Sequence, residues 1–228
     1  MKIDIGKWMR KYTEAVSDCF CGRIRFIGLQ GSYARGEATE SSDIDAVLIL
    51  DRLDGEDVEK YGRTLDTLPE RDKICGFLCG EEELKNWERA DLFQFCFDTE
   101  PVLGTLDGYI KMIGESDIRR AVRLGACNIY HMCVHNMLYE KNAEILKGLF
   151  KSAFFTLRAK AYLETGRYEM KKNALLSLLS PEDLVISDTA ENVKKLCLWD
   201  GKTIDASEKL LAWASECIKN IAGDGLFA

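Results

Sequence analysis

Apolar residues recur with two different spacings along the chain, and the change between them falls near residue 107. In the first part, short apolar runs predict strands, and apolar residues three or four positions apart predict helices between them. The predicted strands are residues 23–29, 45–50, 73–79 and 92–97, and the predicted helices are 3–21, 55–65 and 81–87. The segment TEPVLGTLDG, residues 99–108, interrupts this pattern after the last predicted strand.

Only helical spacing remains beyond residue 107. The predicted helices are 118–147, 149–165, 169–179, 181–197 and 207–221. Gly166 is predicted to end the second of them, because glycine adopts the left-handed conformation of a helix cap at no steric cost. The pattern therefore predicts an α+β protein, with a sheet-containing domain at residues 1–106 and an all-helical domain at residues 107–228.

The composition excludes several classes of protein. The chain has 228 residues, of which 46% are hydrophobic and 30% charged, as in a soluble globular protein. The formal net charge of −7 disfavours nucleic acid and anionic membranes as partners. No apolar run approaches the roughly 20 residues of a membrane span, and the N-terminus lacks a signal-peptide core. Nine cysteines without a C-x-x-C pair predict core thiols, Cys75 and Cys79 among them, in a reduced, cytoplasmic protein.

Residues 31–45, GSYARGEATESSDID, lie between two predicted strands and end in two aspartates. Because side chains alternate across a strand, Asp43 and Asp45 are expected on one face, with Cα atoms about 6.5–7 Å apart. The other face is expected to belong to the core and carries Ile44, Ala46, Leu48 and Leu50. Two carboxylates this close repel each other unless a cation lies between them. Magnesium is the natural candidate, since it takes oxygen ligands and often combines carboxylates with substrate phosphates.

The same stretch opens on Gly31-Ser32, directly after a predicted strand and before an expected helix. A helix N-terminus offers N–H donors and the positive end of the helix dipole, and both favour phosphate. Glycine lets the backbone approach the phosphate closely, and serine adds a hydroxyl donor. A phosphate-binding turn beside a metal-binding pair of aspartates predicts a nucleotide site.

This constellation resembles the signature of the DNA polymerase beta-like nucleotidyltransferase superfamily, in which a Gly-Ser pair precedes Asp-x-Asp by ten to a dozen residues. The matching residues are Gly31, Ser32, Ala34, Arg35, Gly36, Ser42, Asp43 and Asp45. The resemblance implies that the sheet of the first domain is mixed, and that Gly31 and Ser32 hold the triphosphate. It also implies that Asp43 and Asp45 bind magnesium ions, which assist the in-line attack of the acceptor on the α-phosphate. Arg35 is either a further phosphate contact or a surface arginine.

The helical half adds a resemblance to antibiotic nucleotidyltransferases of the kanamycin type. Residues 155–179 carry an arginine on an apolar helix, then Thr-Gly, then a lysine-alanine helix. The matching residues are Arg158, Thr165, Gly166, Lys171 and Ala174. The resemblance implies that Lys171 contacts the nucleotide triphosphate; a solvated helix lysine is the alternative.

One position departs from the resemblance. The superfamily usually carries a third carboxylate on the next strand, and aligning the strand KICGFLCG puts Cys75 at that position. A thiol is a poor magnesium ligand, because magnesium prefers hard oxygen. Glu70, Asp72 and Asp98, each expected at the end of a strand, are alternative acids. The sequence is therefore compatible with a slow enzyme and also with a protein that no longer catalyses transfer.

The resemblance also implies a general base from the helical half, which deprotonates the acceptor hydroxyl. The candidates are Glu140, Glu144, His131 and His135. The two histidines lie four residues apart on one helix face, which suits a base or a metal pair and equally suits packing.

The function that follows is magnesium-dependent transfer of a nucleoside monophosphate to a hydroxyl of a small, antibiotic-like acceptor. ATP is the expected donor and AMP the transferred group, although another NTP fits the same motif. The alternatives are a protein acceptor, as in toxin–antitoxin nucleotidyltransferases, and a non-catalytic nucleotide sensor. The sequence leaves the oligomeric state open, a homodimer included.

Overall fold

The structure, a computed structural model, describes residues 3–222. Its internal contacts group the chain into two compact units, Met1–Ile113 and Gly114–Ala228. The first unit contains the sheet and the second is helical, so the predicted α+β class is confirmed. Within residues 3–222, no helix is both long enough and apolar enough to cross a membrane.

The first unit is built on a four-stranded sheet with the order β3-β2-β1-β4. Its strands are β1 (Ile24–Gln30), β2 (Ile44–Leu50), β3 (Ile74–Gly80) and β4 (Glu100–Leu103). Its helices are α1 (Ile5–Cys19), α2 (Gly31–Ala34), α3 (Gly55–Leu65), α4 (Glu81–Lys85), α5 (Arg89–Phe97) and α6 (Asp107–Ile110). β1 is antiparallel to β2 and β4, whereas β2 and β3 are parallel and are joined by a crossover through α3. The sheet is therefore mixed, as predicted.

Helices cover both faces of this sheet. On one face, α1 and α3 pack over the alternate β2 residues that the sequence assigns to the core, namely Ile44, Ala46, Leu48 and Leu50. On the other face, Val47 and Ile49 pack against α4 and α5. Residues of α6 and Ile113, which lie beyond the predicted division at residue 106, also pack against this second core. Most of β2 is buried on both faces, and Asp45, near its start, is only half-buried.

Residues 92–97 are not a strand, so this prediction is wrong. They belong to α5, and the fourth strand is β4, within the segment that interrupts the sequence pattern. Aromatic residues at alternate positions suggested a strand, but α5 is apolar around most of its circumference, and Phe95 and Phe97 are partly buried as well. β4 is an exposed edge strand that contains Pro101, a residue that sheets tolerate at their edges.

An ion-pair network joins the start of β1 to the end of β2 and to α3. Arg23 donates two hydrogen bonds to Asp57, at 2.7 and 2.8 Å, and one to Asp51 at 3.0 Å. Asp57 is buried and forms a capping box with Asp54 at the start of α3. The hydrogen bonds from Arg23 hold the pKa of Asp57 below its ordinary value. At this end of β2, the protein itself neutralises its acidic side chains.

The second unit is all helical. Its helices are α7 (Glu115–His135), α8 (Ala143–Thr165), α9 (Lys172–Leu176), α10 (Pro181–Val193) and α11 (Gly201–Ala222), with a π-helical segment at Asn136–Glu140. Most of their buried apolar side chains form one cluster. Gly166, at φ 70°, ends α8 in the left-handed conformation, as predicted.

Two helix predictions in this unit are corrected. The predicted helix 118–147 is interrupted at Lys141, which has a left-handed conformation, and α8 begins after Asn142. Asn142 caps α8 by accepting hydrogen bonds from two backbone N–H groups, and the Asn136 side chain bonds to its backbone. These polar contacts interrupt the helix, although the apolar pattern of the sequence continues across the interruption. The predicted helix 169–179 shortens to the five residues of α9.

Candidate active site

The end of β1 and the start of β2 bring Gly31 and Asp45 into contact. Gln30, the last residue of β1, is the register partner of Asp45, so Gly31 follows directly beside the aspartate. Gly31 has φ 69°, and a Cβ atom built on it would lie 1.8 Å from Oδ2 of Asp45. Only glycine combines this backbone conformation with so close an approach. The structure thus joins the opening glycine of the motif to its closing aspartate.

The Gly31-Ser32 turn opens the four-residue helix α2. The first N–H groups of a helix have no partner within it, and the side chain of the preceding Gln30 does not cap them. The Ser32 carbonyl accepts a hydrogen bond from the N–H of Glu37 at 2.8 Å, which closes the loop that follows. Backbone donors and a serine hydroxyl therefore lie next to the Asp45 carboxylate, an arrangement that suits a phosphate bound together with a metal ion.

Asp43 immediately precedes β2 and is exposed. Among the residues that the structure describes, its carboxylate has no hydrogen bond or ion pair. The loop before it is fixed by other groups: Ser42 accepts a backbone hydrogen bond at 2.9 Å, and Lys73 donates to the Glu40 carbonyl at 3.0 Å. Asp43 thus lies two residues before Asp45, and no cationic side chain among the described residues pairs with it.

The aspartate pair can be tested as a metal site. Carboxylate oxygens are the ligands that magnesium prefers, Asp43 is exposed, and Gly31 lets the Asp45 carboxylate lie directly against the turn at the start of α2. Across residues 3–222, however, no group of three or more His, Cys, Asp or Glu side chains is arranged to hold a metal ion. The pair therefore fits magnesium when phosphate oxygens complete the ligand set.

Cys75 lies on β3 as the register partner of Asp45. Further along the same two strands, Phe77 and Cys79 partner Val47 and Ile49, so Cys75 shares the face of the sheet that carries Asp45. β3 is an edge strand, and Cys75 is exposed.

The exposure of Cys75 corrects the prediction that the cysteines are core residues. The core interpretation holds for the buried Cys79, Cys96, Cys133 and Cys217, and burial raises the pKa of Cys96 to about 12. It does not hold for Cys75 or for the other exposed thiols, which are Cys21, Cys127 and Cys197.

None of the three alternative acids ends a strand, so that expectation is also corrected. Asp98 is buried directly after α5, because the predicted fourth strand is a helix. Glu70 and Asp72 precede β3, the first in a left-handed turn and the second in a short 3-10 helix, and both are exposed. Glu70 lies 3.7 Å from Lys73 in an ion pair.

Arg35 follows α2, with its side chain only 11% exposed. Its Nε atom lies 3.2 Å from Oε2 of Glu37, so the guanidinium is held within the loop of the motif. Gly36 comes next with φ 72°, and nothing lies within 4 Å of a Cβ atom built on it. The two glycines of the motif therefore share a backbone conformation but differ in what surrounds them.

Lys171 lies in the second unit, at the residue before α9, and is exposed. The buried Arg158 shapes the segment that leads to it, by donating hydrogen bonds to the carbonyls of Glu169 and Met170 at 3.3 and 2.9 Å. The Lys171 side chain itself has no hydrogen bond or ion pair to any residue within 3–222. Arg158 therefore has a structural role, whereas Lys171 contributes to the start of α9 through its backbone carbonyl, which accepts a hydrogen bond from Leu175.

The four candidate bases all belong to the second unit. The rings of His131 and His135 lie 6.5 Å apart, and the ring of Tyr139 lies 5.0 Å from that of His135. Nδ1 of His135 is buried and finds no hydrogen-bond partner among the residues described. Glu140 is exposed in the π-helical segment, and Glu144, in the first turn of α8, forms an ion pair with Lys147. A role as base stays a prediction for each of them.

The sequence reasoning missed Gln30 and Thr99. The Gln30 side chain donates to Oγ1 of Thr99 at 2.6 Å, and Thr99 donates to the Phe95 carbonyl at 2.5 Å. This chain of hydrogen bonds ties the end of β1, and hence the Gly31 turn, to the end of α5. The sequence does contain a signal for Gln30, because it is a polar residue at the end of an apolar strand and directly precedes Gly-Ser.

This fold and this site define a nucleotidyltransferase domain. The sequence profile of the nucleotidyltransferase domain family matches residues 9–110. A protein from Methanocaldococcus jannaschii, named as a protein adenylyltransferase, is 34% identical over 73 residues, which are 32% of this chain and 68% of that protein. The chain belongs to this family, which confirms the resemblance drawn from residues 31–45 and supports a nucleotidyltransferase enzyme.

Two further similarities concern particular proteins. A second M. jannaschii protein with the same kind of name is 44% identical over 45 residues, which are 20% of this chain. The chain covers only 45% of that relative's length. The fold resembles that of the spectinomycin adenyltransferase AAD(9) from Enterococcus faecialis, solved with ATP and spectinomycin, with a TM-score of 0.56 and 11% identity. That likeness covers 93% of this chain and 98% of the other, so it extends through both units.

Proposed function

We propose that this protein is an adenylyltransferase that moves AMP from ATP to a hydroxyl group, with magnesium as its cofactor. The observation that supports the proposal most is the contact between Gly31 and Asp45, because the glycine that opens α2 lies directly against a carboxylate there. In the reaction, the acceptor oxygen bonds to the α-phosphorus, and the bond from that phosphorus to the oxygen bridging to the β-phosphate breaks. Pyrophosphate leaves with that oxygen, and the proton of the hydroxyl passes to a base.

The residues of the first unit divide the work on the nucleotide. Gly31 and Ser32 bind the triphosphate through backbone N–H groups and the serine hydroxyl, and Arg35, held by Glu37, adds positive charge at the same turn. Asp43 and Asp45 would hold the magnesium. When bound, such an ion neutralises charge that develops on the phosphate oxygens in the transition state. From the family resemblance alone, Lys171 is assigned as a further triphosphate ligand.

The acceptor that we propose is a small, antibiotic-like molecule with a free hydroxyl. The likeness to a spectinomycin adenyltransferase supports it, because it spans the helical unit as well as the sheet. The test is incubation with ATP labelled at the α-phosphate, magnesium and a panel of spectinomycin, aminoglycosides and lincosamides. We expect labelled acceptor with wild-type protein and none with Asp43→Asn. Label that is incorporated equally by the Asp43→Asn protein would overturn the proposal.

A protein acceptor is the second candidate, and the names of the two M. jannaschii relatives favour it. Their similarity extends over at most 73 residues, which are 32% of this chain, whereas the likeness to the spectinomycin adenyltransferase covers 93% of it. The same labelled ATP separates the two candidates when it is added to cell extract. Label that migrates with protein on a denaturing gel, and that needs Asp43, would favour a protein acceptor over a small molecule.

A further inference from the structure

The second unit contains a cavity of about 1020 Å³, to which the nucleotide motif contributes no residue. It is lined by the first half of α7, the end of α8, the start of α10 and the second half of α11, all within residues 119–221. Sites that take drug-sized molecules have volumes of roughly 300–1,000 Å³. Apolar side chains form part of the wall, among them Leu163, Ile186 and Trp213. The cavity is therefore large enough for a small molecule, and its polar groups decide which kind.

A buried hydrogen-bond network lies in the wall of this cavity. Asp183 is only 1% exposed, and its carboxylate accepts hydrogen bonds from Lys160 at 2.5 Å, Ser180 at 3.0 Å and Trp213 at 2.8 Å. A buried ion pair adds little to stability compared with apolar side chains of similar volume. All four side chains also line the cavity, so the network fixes the Lys160 ammonium and the Trp213 ring in a wall that a ligand would contact.

The ion pairs around the cavity leave negative charge over. Each of the four cationic residues of the wall forms an ion pair at 2.5–2.9 Å: Arg119 with Glu115, Lys160 with Asp183, Lys209 with Asp205, and Lys219 with Glu216. Two lining acids remain. Glu164 lies 3.6 Å from Lys160, which is closer to Asp183, and Glu182 is exposed without a hydrogen bond or ion pair to any residue that the structure describes. Carboxylates without a close cation favour a positively charged ligand.

We propose that this cavity binds an organic amine, whose ammonium group pairs with the carboxylates of Glu164 and Glu182 and whose apolar body packs against Trp213. The ammonium group gains charge-assisted hydrogen bonds, and the apolar body gains from leaving water. An organic acid would meet these carboxylates with like charge, and a neutral alcohol would gain from its apolar body alone. The inference does not depend on the proposed function, because none of the lining residues is assigned to the nucleotide.

Calorimetric titration of the full-length protein with tryptamine tests the proposal. Tryptophol and indole-3-acetate are the matched ligands, because they keep the indole ring and replace the ammonium group with a hydroxyl or a carboxylate. We expect the wild type to bind tryptamine about tenfold more tightly than tryptophol, and indole-3-acetate more weakly than either. Glu164→Gln combined with Glu182→Gln should remove this preference and leave the affinity for tryptophol unchanged. Glu208→Gln, at an exposed acid of α11 outside the cavity, is the control and should keep the preference.

A second variant tests the cavity rather than its charge. Ala212 is exposed in α11 and lines the cavity, so Ala212→Trp should fill the cavity without inserting a new side chain into the core. We expect this variant to bind no tryptamine at concentrations that saturate the wild type. Its affinity for ATP should be unchanged.

The outcomes separate this inference from the proposed function. Equal affinities of the wild type for tryptamine and tryptophol, or no binding of tryptamine, would overturn the amine site. Tryptamine that still binds to folded Ala212→Trp protein would overturn the cavity as its place of binding. If Ala212→Trp does not fold, the loss or persistence of the preference in the double glutamine variant decides the point. No binding of ATP by any of the proteins would overturn the proposed function and leave this inference in place.

Discussion

The two ends of β2 carry acidic side chains in opposite states. At its end, Asp51 and the neighbouring Asp57 receive hydrogen bonds from Arg23, and Asp57 is buried. At its start, Asp43 is exposed without a partner among the described residues, and Asp45 lies against a glycine. The strand thus ends beside acids that the protein neutralises, and it begins directly after an exposed acid, Asp43, that has no such partner among the described residues.

This difference distinguishes structural from functional acids without reference to any relative. A carboxylate that serves stability is paired, because an unpaired buried charge is costly. A carboxylate that binds a cation must stay accessible and must tolerate repulsion when the cation is absent. Substitutions at the two ends of β2 should therefore have opposite effects on stability and on activity.

The largest effect is expected at the start of β2. Asp43→Asn and Asp45→Asn should each lower transfer by about a thousandfold or more, because each removes a charged metal ligand worth several kcal/mol in the transition state. The melting temperature should stay the same or rise, since repulsion between the two carboxylates is relieved. Rates from labelled ATP and thermal melts check both statements. Glu40→Gln, at an exposed acid of the same loop, is the control and should behave like the wild type.

Substitution at the other end of β2 should change the stability of the protein rather than its activity. Arg23→Ala leaves the buried Asp57 carboxylate without its partner and should lower the free energy of unfolding by about 3 kcal/mol. ATP affinity should be unchanged at temperatures where the variant is folded. Urea denaturation and calorimetric titration with ATP measure the two quantities. A loss of ATP affinity in the folded variant would contradict the separation of the two ends.

The same pair predicts a pH dependence. Arg23 lowers the pKa of Asp57 in the folded state. The ion pair therefore contributes its full share of the free energy of unfolding above the unfolded pKa of about 3.9. This share is lost as the pH falls through the lower pKa of the folded state. The difference in stability between wild type and Arg23→Ala should therefore be constant near neutral pH and shrink below about pH 4.

Gly31 tests the contact at the start of β2 by itself. Gly31→Ala would put a Cβ atom 1.8 Å from Oδ2 of Asp45, so the aspartate must move away from the turn. The stabilisation by ATP and magnesium, about 2.7 kcal/mol at a hundredfold excess over Kd, should disappear. Gly36→Ala has the same unfavourable positive φ but meets no atom within 4 Å, and it should keep the ATP-induced rise in melting temperature. Equal shifts in the two variants would place the nucleotide elsewhere.

The smallest effect concerns the second unit. Lys171→Ala should weaken ATP binding about tenfold, the loss expected for one charged hydrogen bond to phosphate, without changing stability. Lys172→Ala is the comparison, because Lys172 pairs with Glu191 and lies over the ring of Phe154. It should lower stability and leave ATP affinity intact. Calorimetric titration of both proteins decides the point.

The sequence predicts the parts of this fold whose signals are local. β1, β2 and β3 are short apolar runs, and the alternation along β2 correctly separates the core residues from Asp45. α5 is missed because its apolar residues cover most of its circumference, so its spacing does not distinguish helix from strand. β4 is missed because its four exposed residues have no apolar pattern, and only its pairing with β1 defines it.

The candidate site divides in the same way. The spacing between Gly31 and Asp45 is enough to predict a shared site, because β1 and β2 are neighbours in both sequence and space. Aligning the next strand puts Cys75 beside the aspartates, and the structure pairs it with Asp45. The exposure of Cys75 and the hydrogen bond from Gln30 to Thr99 follow from the sheet edge and from α5, and no local pattern reveals either.

The strand order also determines when a newly made chain can complete its site. β1 and β2 form an antiparallel pair of near neighbours, so the approach of Gly31 to Asp45 needs only the first fifty residues or so. The hydrogen bond that fixes the Gln30 side chain, however, is accepted by Thr99, and the other edge of β1 is covered only when residues 100–103 have left the ribosome. Until then, β1 exposes an unpaired apolar edge, which is open to mispairing with other chains. We therefore expect the nascent first unit to depend on chaperones until β4 is in place.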